Sequence, residues 1–339
     1  MTTVASMPTP APTVRRSSRS WRARGIFLTA VLLMAAAVPQ VFGLTVVEQG
    51  TELLTLILLA TMWNALAGYA GLVSVGQQCF IGVGAYATIW LTQQGLAPYA
   101  AIVLAPLAAG VLAVVLAPVV LRLRGGQFAV GTWVIAETAA LLVMLDDDLG
   151  GGTGTSLRGL NAYPPPVRHA YTYWLALAAA VLLFGALFLL LRSRSGIALQ
   201  AARDSEQAAA AAGVRTWSAR VRVYVLAAVG CGAAGALTLA NTLFVQPRSI
   251  FGAHWSAYLI FMVLVGGIGT LEGPVLGAVA FFAVESAFGD QGAWYLVGLG
   301  VMAIFFTLFV PRGLWGGLSR RDTLSLFPLR YHLTTTERG

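Results

Sequence analysis

The sequence predicts an all-α fold, a polytopic transmembrane helical bundle of about ten spans (8–10), with both termini in the cytoplasm. Three observations predict it. Of 339 residues, 58% are hydrophobic and only 10% are charged, where a soluble domain carries about 25% charged residues. The apolar residues are gathered into runs near the ~20 residues that cross a hydrocarbon core as a helix. The arginines cluster at one set of run ends, as the positive-inside rule requires.

The runs lie near 25–44, 52–70, 74–94, 98–121, 127–145, 171–191, 219–243, 255–269, 272–289 and 293–311. Those at 74–94 and 255–269 read as broken or re-entrant, a geometry tolerated only inside a protein bundle. Residues 1–24, rich in Ser, Thr, Pro and Arg, read as a disordered basic cytoplasmic tail. Ala35-Ala36-Ala37 resembles a signal-peptidase site, but the basic region before it is long and further spans follow, so the first helix reads as uncleaved. The transmembrane unit is 25–317, and 318–339 is a cytoplasmic C-terminal tail.

With the N-terminus inside, 18 of 21 arginines fall on the cytoplasmic side. They are Arg15, Arg16, Arg19, Arg22 and Arg24 in the tail, Arg122 and Arg124, six in the central loop, and Arg312, Arg320, Arg321, Arg330 and Arg338. Outside fall Arg158, Arg168 and Arg248, with Asp146, Asp147 and Asp148. An even number of spans returns the C-terminus to the cytoplasm.

Composition also excludes chemistry. Every basic residue is Arg, so there is no lysine for a P-loop or for a Schiff base. Cys79 and Cys231 fall in apolar runs and read as small buried residues. His169, His254 and His332 share no helical face, and no metal site or catalytic triad is visible. The arginines follow topology rather than interleaving with aromatics, which excludes a nucleic-acid surface. No cofactor is expected, and no nucleophile–base pair of an intramembrane enzyme is visible.

The central segment Arg192–Arg222 is the one long internal stretch that is both polar and helix-forming. It reads as two short helices, with Asp204 capping the second, Gln207 completing a capping box and Glu206 in the first turn. The run Ala208–Ala212 favours helix, and Gly213 is a natural stop. Such a loop suits docking against another protein, and equally a solvated connector. The outer loop Leu149–Ala170, with Gly150–Gly152 and Pro164–Pro166, reads as a flexible linker slightly ahead of a partner-binding loop.

Polar residues inside the spans mark the candidate pathway. Asn64, Ser74, Gln77 and Gln78 lie in a glycine-rich stretch running from Asn64 to Tyr86. Facing lipid they are costly, so they face the bundle. For the glutamines, a role beside the pathway and a structural hydrogen-bonding role stand level. A second glycine-rich stretch, Gly266–Gly277, contains Thr270. It sits at a similar place in the other half and hints at an internal repeat, and Glu272 in the third glycine position excludes a dinucleotide fingerprint. Glu137 and Glu285 are the carboxylates lying away from the first turn of any run, with Glu137 the better functional candidate.

Four blocks resemble the permease subunits of branched-chain amino-acid ABC importers, specifically the M-type of the two permeases. Asn64–Tyr86 is similar to N-x-L-x-G-Y-A-G-x-x-S-x-G-x-x-x-F-x-G-x-G-A-Y. Leu123-Arg124-Gly125 with Phe128, Ala129, Thr132 and Glu137 is similar to L-R-G-x-Y-F-A-x-x-T-L-x-x-x-E. Ser193–Gly213 resembles S-R-x-G-R-A-x-x-A-I-R-x-x-E-x-A-A-x-x-x-G. Gly266–Gly277 resembles G-G-x-G-S-x-x-G-P-x-x-G, and Val310–Leu314 follows. The resemblance covers about Glu52 to Gly317. Departures are Ile197, Ala202, Gln127, Ala139-Ala140 and the altered outer loop; they bear on the solute, since urea and short-amide importers share the scaffold.

The resemblance implies a multi-pass protein of the bacterial inner membrane, in contact with lipid. It implies that Arg203, Asp204, Glu206, Ala208, Ala209 and Gly213 form a loop docking into a cytoplasmic ATPase. It also implies a second, H-type permease, two ATPase subunits and an extracytoplasmic solute-binding protein as partners. A stand-alone channel or an ion-coupled carrier is the rival reading, and it gives the central loop no task.

Overall fold

The computed structural model describes residues 13–15, 21–310, 312–318 and 332–334. The tails expected at 1–24 and 318–339 lie mostly outside the described residues. Helices dominate: α1 (Trp21–Val41), α2 (Leu44–Asn64), α3 (Gln78–Gln93), α4 (Pro98–Val120), α5 (Gly126–Met144) and α6 (Pro165–Arg192). They are followed by α7 (Arg194–Asp204), α8 (Glu206–Ala211), α9 (Thr216–Thr242), α10 (Pro247–Ile250), α11 (His254–Gly266), α12 (Gly273–Phe288), α13 (Ala293–Phe309) and α14 (Gly313–Leu318). Strand β1 (Thr13–Arg15) pairs with β4 (His332–Thr334), and β2 (Thr155–Ser156) with β3 (Phe244–Val245), both antiparallel.

Each of the expected runs falls on a helix. Among the described residues seven stretches are long and apolar enough to cross a membrane: Leu44–Tyr69, Pro98–Val120, Gly126–Met144, Pro165–Arg192, Thr216–Thr242, Pro247–Gly266 and Trp294–Gly317. The runs at 25–44, 74–94 and 272–289 form shorter helices. The run at 74–94 loses only its start: residues 71–77 are not helical and α3 is continuous from Gln78 to Gln93, while the run at 255–269, expected to be broken, holds one continuous helix, His254–Gly266.

Helix α9 is the axis of the packing, flanked by α2, α3, α4 and α6. It can be central because its middle is small: Gly230, Cys231, Gly232, Ala233, Ala234, Gly235 and Ala236 are all buried. A Cβ on Gly235 would stand 1.9 Å from the Ile81 carbonyl oxygen, and one on Gly84 would stand 2.0 Å from that of Gly232. The backbones of α3 and α9 therefore touch, the close approach that small residues permit in lipid.

Helix α2 does not end as an α-helix. Residues Ala65–Tyr69 form a π-helical turn, and Leu72 N–H reaches back to the Leu66 carbonyl. Gly71 follows at φ +70°, a conformation that costs a residue with a Cβ about 1–2 kcal/mol.

The outer loop is not the free linker its glycines and prolines suggest. Strand β2 pairs with β3, Leu157 N–H donates to the Leu243 carbonyl, and Leu157 and Leu160 are buried. Two leucines and one ladder fasten it to the end of α9. At that end Gln93 also donates to the Asp148 carbonyl at 2.8 Å. At the opposite end the Arg124 guanidinium lies 3.7 Å from Glu206, so the turn before α5 and the central loop share a side, as the arginine count requires.

Candidate functional site

The central loop folds as two short helices, and the sequence explains both ends. Ser193 caps α7, its hydroxyl accepting from Ser195 N–H at 3.1 Å. The expected cap of α8 is corrected by one residue. Asp204 is the last residue of α7 and its carboxylate is occupied by Arg203 Nε and Nη2, both at 3.1 Å. Ser205, extended at φ −160° and ψ 108°, has the backbone a cap needs, and its hydroxyl accepts from Ala208 N–H. Gly213 does stop the helix. At φ +73° it lets its own N–H reach Ala210 O and Val214 N–H reach Ala209 O, each at 3.0 Å, a Schellman pair.

Glu206 clamps α8 to its surroundings. It accepts from Arg220 Nη1 on α9 at 2.9 Å and faces Arg124. The hydrogen bond from Arg220 is the main reason its carboxyl is held below the usual carboxylate range; partial burial opposes this, and the Arg220 and Arg124 charges reinforce it. Arg222 Nη1 donates to Ser195 at 2.7 Å, fixing α7 to α9. Ala209 is buried against this base, while Gln207, Ala208, Ala210, Ala211 and Gly213 are exposed. The loop thus presents a small, nearly featureless face on a braced footing.

The polar span residues gather around the broken start of α3. Asn64, Ser74, Gln77 and Gln78 are all at most 1% exposed. Ser74 accepts from Gly76 N–H, and its carbonyl accepts from Trp63 Nε1 at 2.9 Å. Gln78 accepts from Ser256 Oγ at 2.7 Å and donates to the Val75 carbonyl at 2.9 Å. Gln77 accepts from Cys231 Sγ, and its Nε2 has no hydrogen-bond partner. Both cysteines are free and buried, in keeping with their apolar runs. Among the described residues no cluster of metal-ligating side chains occurs.

Asn64 reaches across the two glycine-rich stretches. It donates to the Thr270 carbonyl at 2.8 Å and accepts from Gly269 N–H at 2.9 Å. Thr270 accepts from the N–H of Gly273, the first residue of α12, and donates to the Gly267 carbonyl. The two glycine-rich stretches are therefore in contact. Glu137 stands apart on the exposed side of α5, accepting from Trp133 Nε1 at 3.1 Å. Glu285 is half-buried on α12 with one carboxylate oxygen unbonded.

The profile of a family described as the permease component of the branched-chain amino acid transport system matches residues 46–310. The chain belongs to that family. The matched stretch begins in α2 and ends just past α13, so it takes in the loop and the polar core. The high-affinity branched-chain amino acid transport system permease protein LivM of Escherichia coli (strain K12) is 27% identical over 317 residues, covering 85% of this chain and 74% of that protein. The protein of the same name from Salmonella typhimurium (strain LT2) is 27% identical over 316 residues with the same coverage. No solved structure matches the chain. Contacts of this permease that the sequence does not signal include Arg203 with Gly68 at 2.7 Å and Arg220 with Glu206. No motif signals the first, because 135 positions separate its members.

Proposed function

We propose that this permease is the membrane subunit of an ABC importer that carries branched-chain amino acids inward, using ATP hydrolysed by separate cytoplasmic subunits. The observation that carries the reading is the central loop: two helices, capped at both ends and braced by Glu206–Arg220, that expose a strip of alanine. A small-residue strip lets another backbone approach closely. The brace lets a push on α8 reach α9, the axis of the bundle. Closure of two ATPase subunits on ATP would move this loop and switch the pathway from outward to inward; the work comes from the different affinity for ATP in the two states.

In this reading the chain spans the membrane about ten times, with the loop and both termini cytoplasmic. It pairs with a second, H-type permease and receives solute from an extracytoplasmic binding protein. The α5 face bearing Trp133 and Glu137 meets the second permease, since a carboxylate facing lipid at mid-span costs about 2.5–3.5 kcal/mol. Asn64, Ser74, Gln77, Gln78 and Thr270 hold the shape of the pathway wall from behind.

The test is ATPase stimulation by solute-loaded binding protein in the reconstituted complex. Glu206→Arg sets three cations together and Ala208→Trp adds bulk to the exposed strip. Both are expected to leave the chain inserted and to reduce stimulation at least about tenfold. Unchanged stimulation in both, or uptake by this chain alone without ATP, sinks the reading. Competition of uptake by leucine, but not by urea or a short amide, fixes the solute class.

A further inference from the structure

Arg203 is the residue of the loop that does not fit a docking surface. Its side chain is 39% exposed, yet one arm of the guanidinium reaches inward. Nη1 donates to the carbonyl of Gly68 at 2.7 Å, while Nε and Nη2 are held by Asp204. Gly68 lies in the π-helical turn that ends α2, where the last carbonyls lack partners within the helix. A cationic donor there is both a strong hydrogen bond and a favourable charge for the C-terminal end of the helix dipole.

The surroundings are built for close approach. A Cβ on Gly68 would stand 2.6 Å from Gly269 N, and one on Gly71 would stand 3.1 Å from Arg203 Cγ. A Cβ on Gly269, itself at φ +76°, would stand 3.5 Å from Arg203 Nη1. Four residues before Gly68, Asn64 grips Gly269 and Thr270. One guanidinium therefore touches the point where α7, the end of α2 and the turn leading into α12 converge. π-turns are strained insertions that recur at functional sites, and a helix that can lose or regain one has two discrete registers.

We infer that Arg203 is a positioning residue that ties the coupling helices to the π-turn of α2, so that movement of the loop shifts the register of that turn and, through Asn64, the turn before α12. The inference rests on the reading of the loop as the ATPase-docking segment. It differs in assigning Arg203 to the inner side of that segment rather than to the docking face.

The experiment uses the full importer with both ATPase subunits and binding protein, reconstituted in vesicles. Two quantities are measured: how much ATPase co-purifies, and how far loaded binding protein stimulates hydrolysis and uptake. For Arg203→Ala, co-purification is expected to match wild type, with stimulation reduced about tenfold. Arg203→Lys should recover part of it, because an ammonium can still reach the Gly68 carbonyl, a rescue that a mere packing role does not give. Asp204→Ala frees the guanidinium from its holder at an exposed position and should give a smaller loss of the same kind; it serves as the test if Arg203→Ala does not fold. Unchanged stimulation in the tested variant overturns the inference. Loss of the ATPase subunits from Arg203→Ala also overturns it, because Arg203 then belongs to the docking face while the importer reading stands. If the wild-type chain itself retains no ATPase, it is the importer reading that fails.

Discussion

Helices α6 and α9 are nearly equal in length, 28 and 27 residues, yet 17% of the most apolar window of α6 is buried in the chain against 78% of that of α9. The more hydrophobic helix is the more exposed. A soluble protein shows the reverse. In lipid, apolarity gives no reason to be inside, because the surroundings are as apolar as leucine; packing and polar satisfaction decide instead. Helix α6 shows Leu182 and Leu189 outward, while α9 hides glycine, alanine and cysteine.

The strongest challenge to that contrast is one methyl group on each helix. Gly235→Ala places a carbon where the Ile81 carbonyl already stands, and is expected to destabilise the chain by about 3 kcal/mol. Gly185→Ala on α6 meets nothing within 4 Å and should be neutral or gain up to about 1 kcal/mol from helix propensity. Thermal unfolding in detergent, followed by size-exclusion chromatography, measures both. Similar losses at the two sites would mean that α6 is as tightly packed as α9 and would break the comparison.

Polar residues sharpen it further. Gln78→Leu strands the Ser256 hydroxyl in the core and should cost about 1–3 kcal/mol. Glu137→Gln on the exposed side of α5 should leave the stability of the isolated chain unchanged and act only on uptake by the assembled complex. A destabilised Glu137→Gln chain would count against an outward-facing role.

Composition makes the membrane class and the helical fold legible, and the runs of apolar residues locate every long helix. The caps are nearly legible: Gly213 stops α8 as its position suggests, while Asp204 loses the α8 cap to Ser205 because Arg203 claims its carboxylate. The broken start of α3 shows in its Gly-Ser-Gly-Gln composition. What does not show is every contact that joins distant segments, Arg203 with Gly68 and Asn64 with Gly269 above all. These depend on backbones meeting at glycines, and a glycine in sequence does not say which other glycine it meets. The outer loop misleads for the same reason: its glycines suggest freedom, while Leu157 and Leu160, which anchor it, do not stand out in a chain this apolar.

The smallest effect concerns the brace beneath α8. Hydrogen bonding from Arg220 depresses the Glu206 carboxyl against the opposing influence of burial, with the Arg220 and Arg124 charges adding to it. A carboxyl whose folded pKa is lowered contributes stability above its unfolded pKa and loses it as pH falls through the folded value. The brace is therefore complete at neutral pH and weakens only in acid, below the usual carboxylate range. Glu206 is about one-third exposed, at 35%, so solvent screening keeps the effect below about 1 kcal/mol. A nitroxide on Ala210→Cys, at an exposed position of α8, reports it without titrating; its mobility should rise on acidification. Arg220→Gln removes the main donor, so the same probe should be mobile already at pH 7 and respond less to acid. An acid response unchanged by Arg220→Gln would separate the loop from α9, and with it the route by which a push on α8 reaches the buried helices.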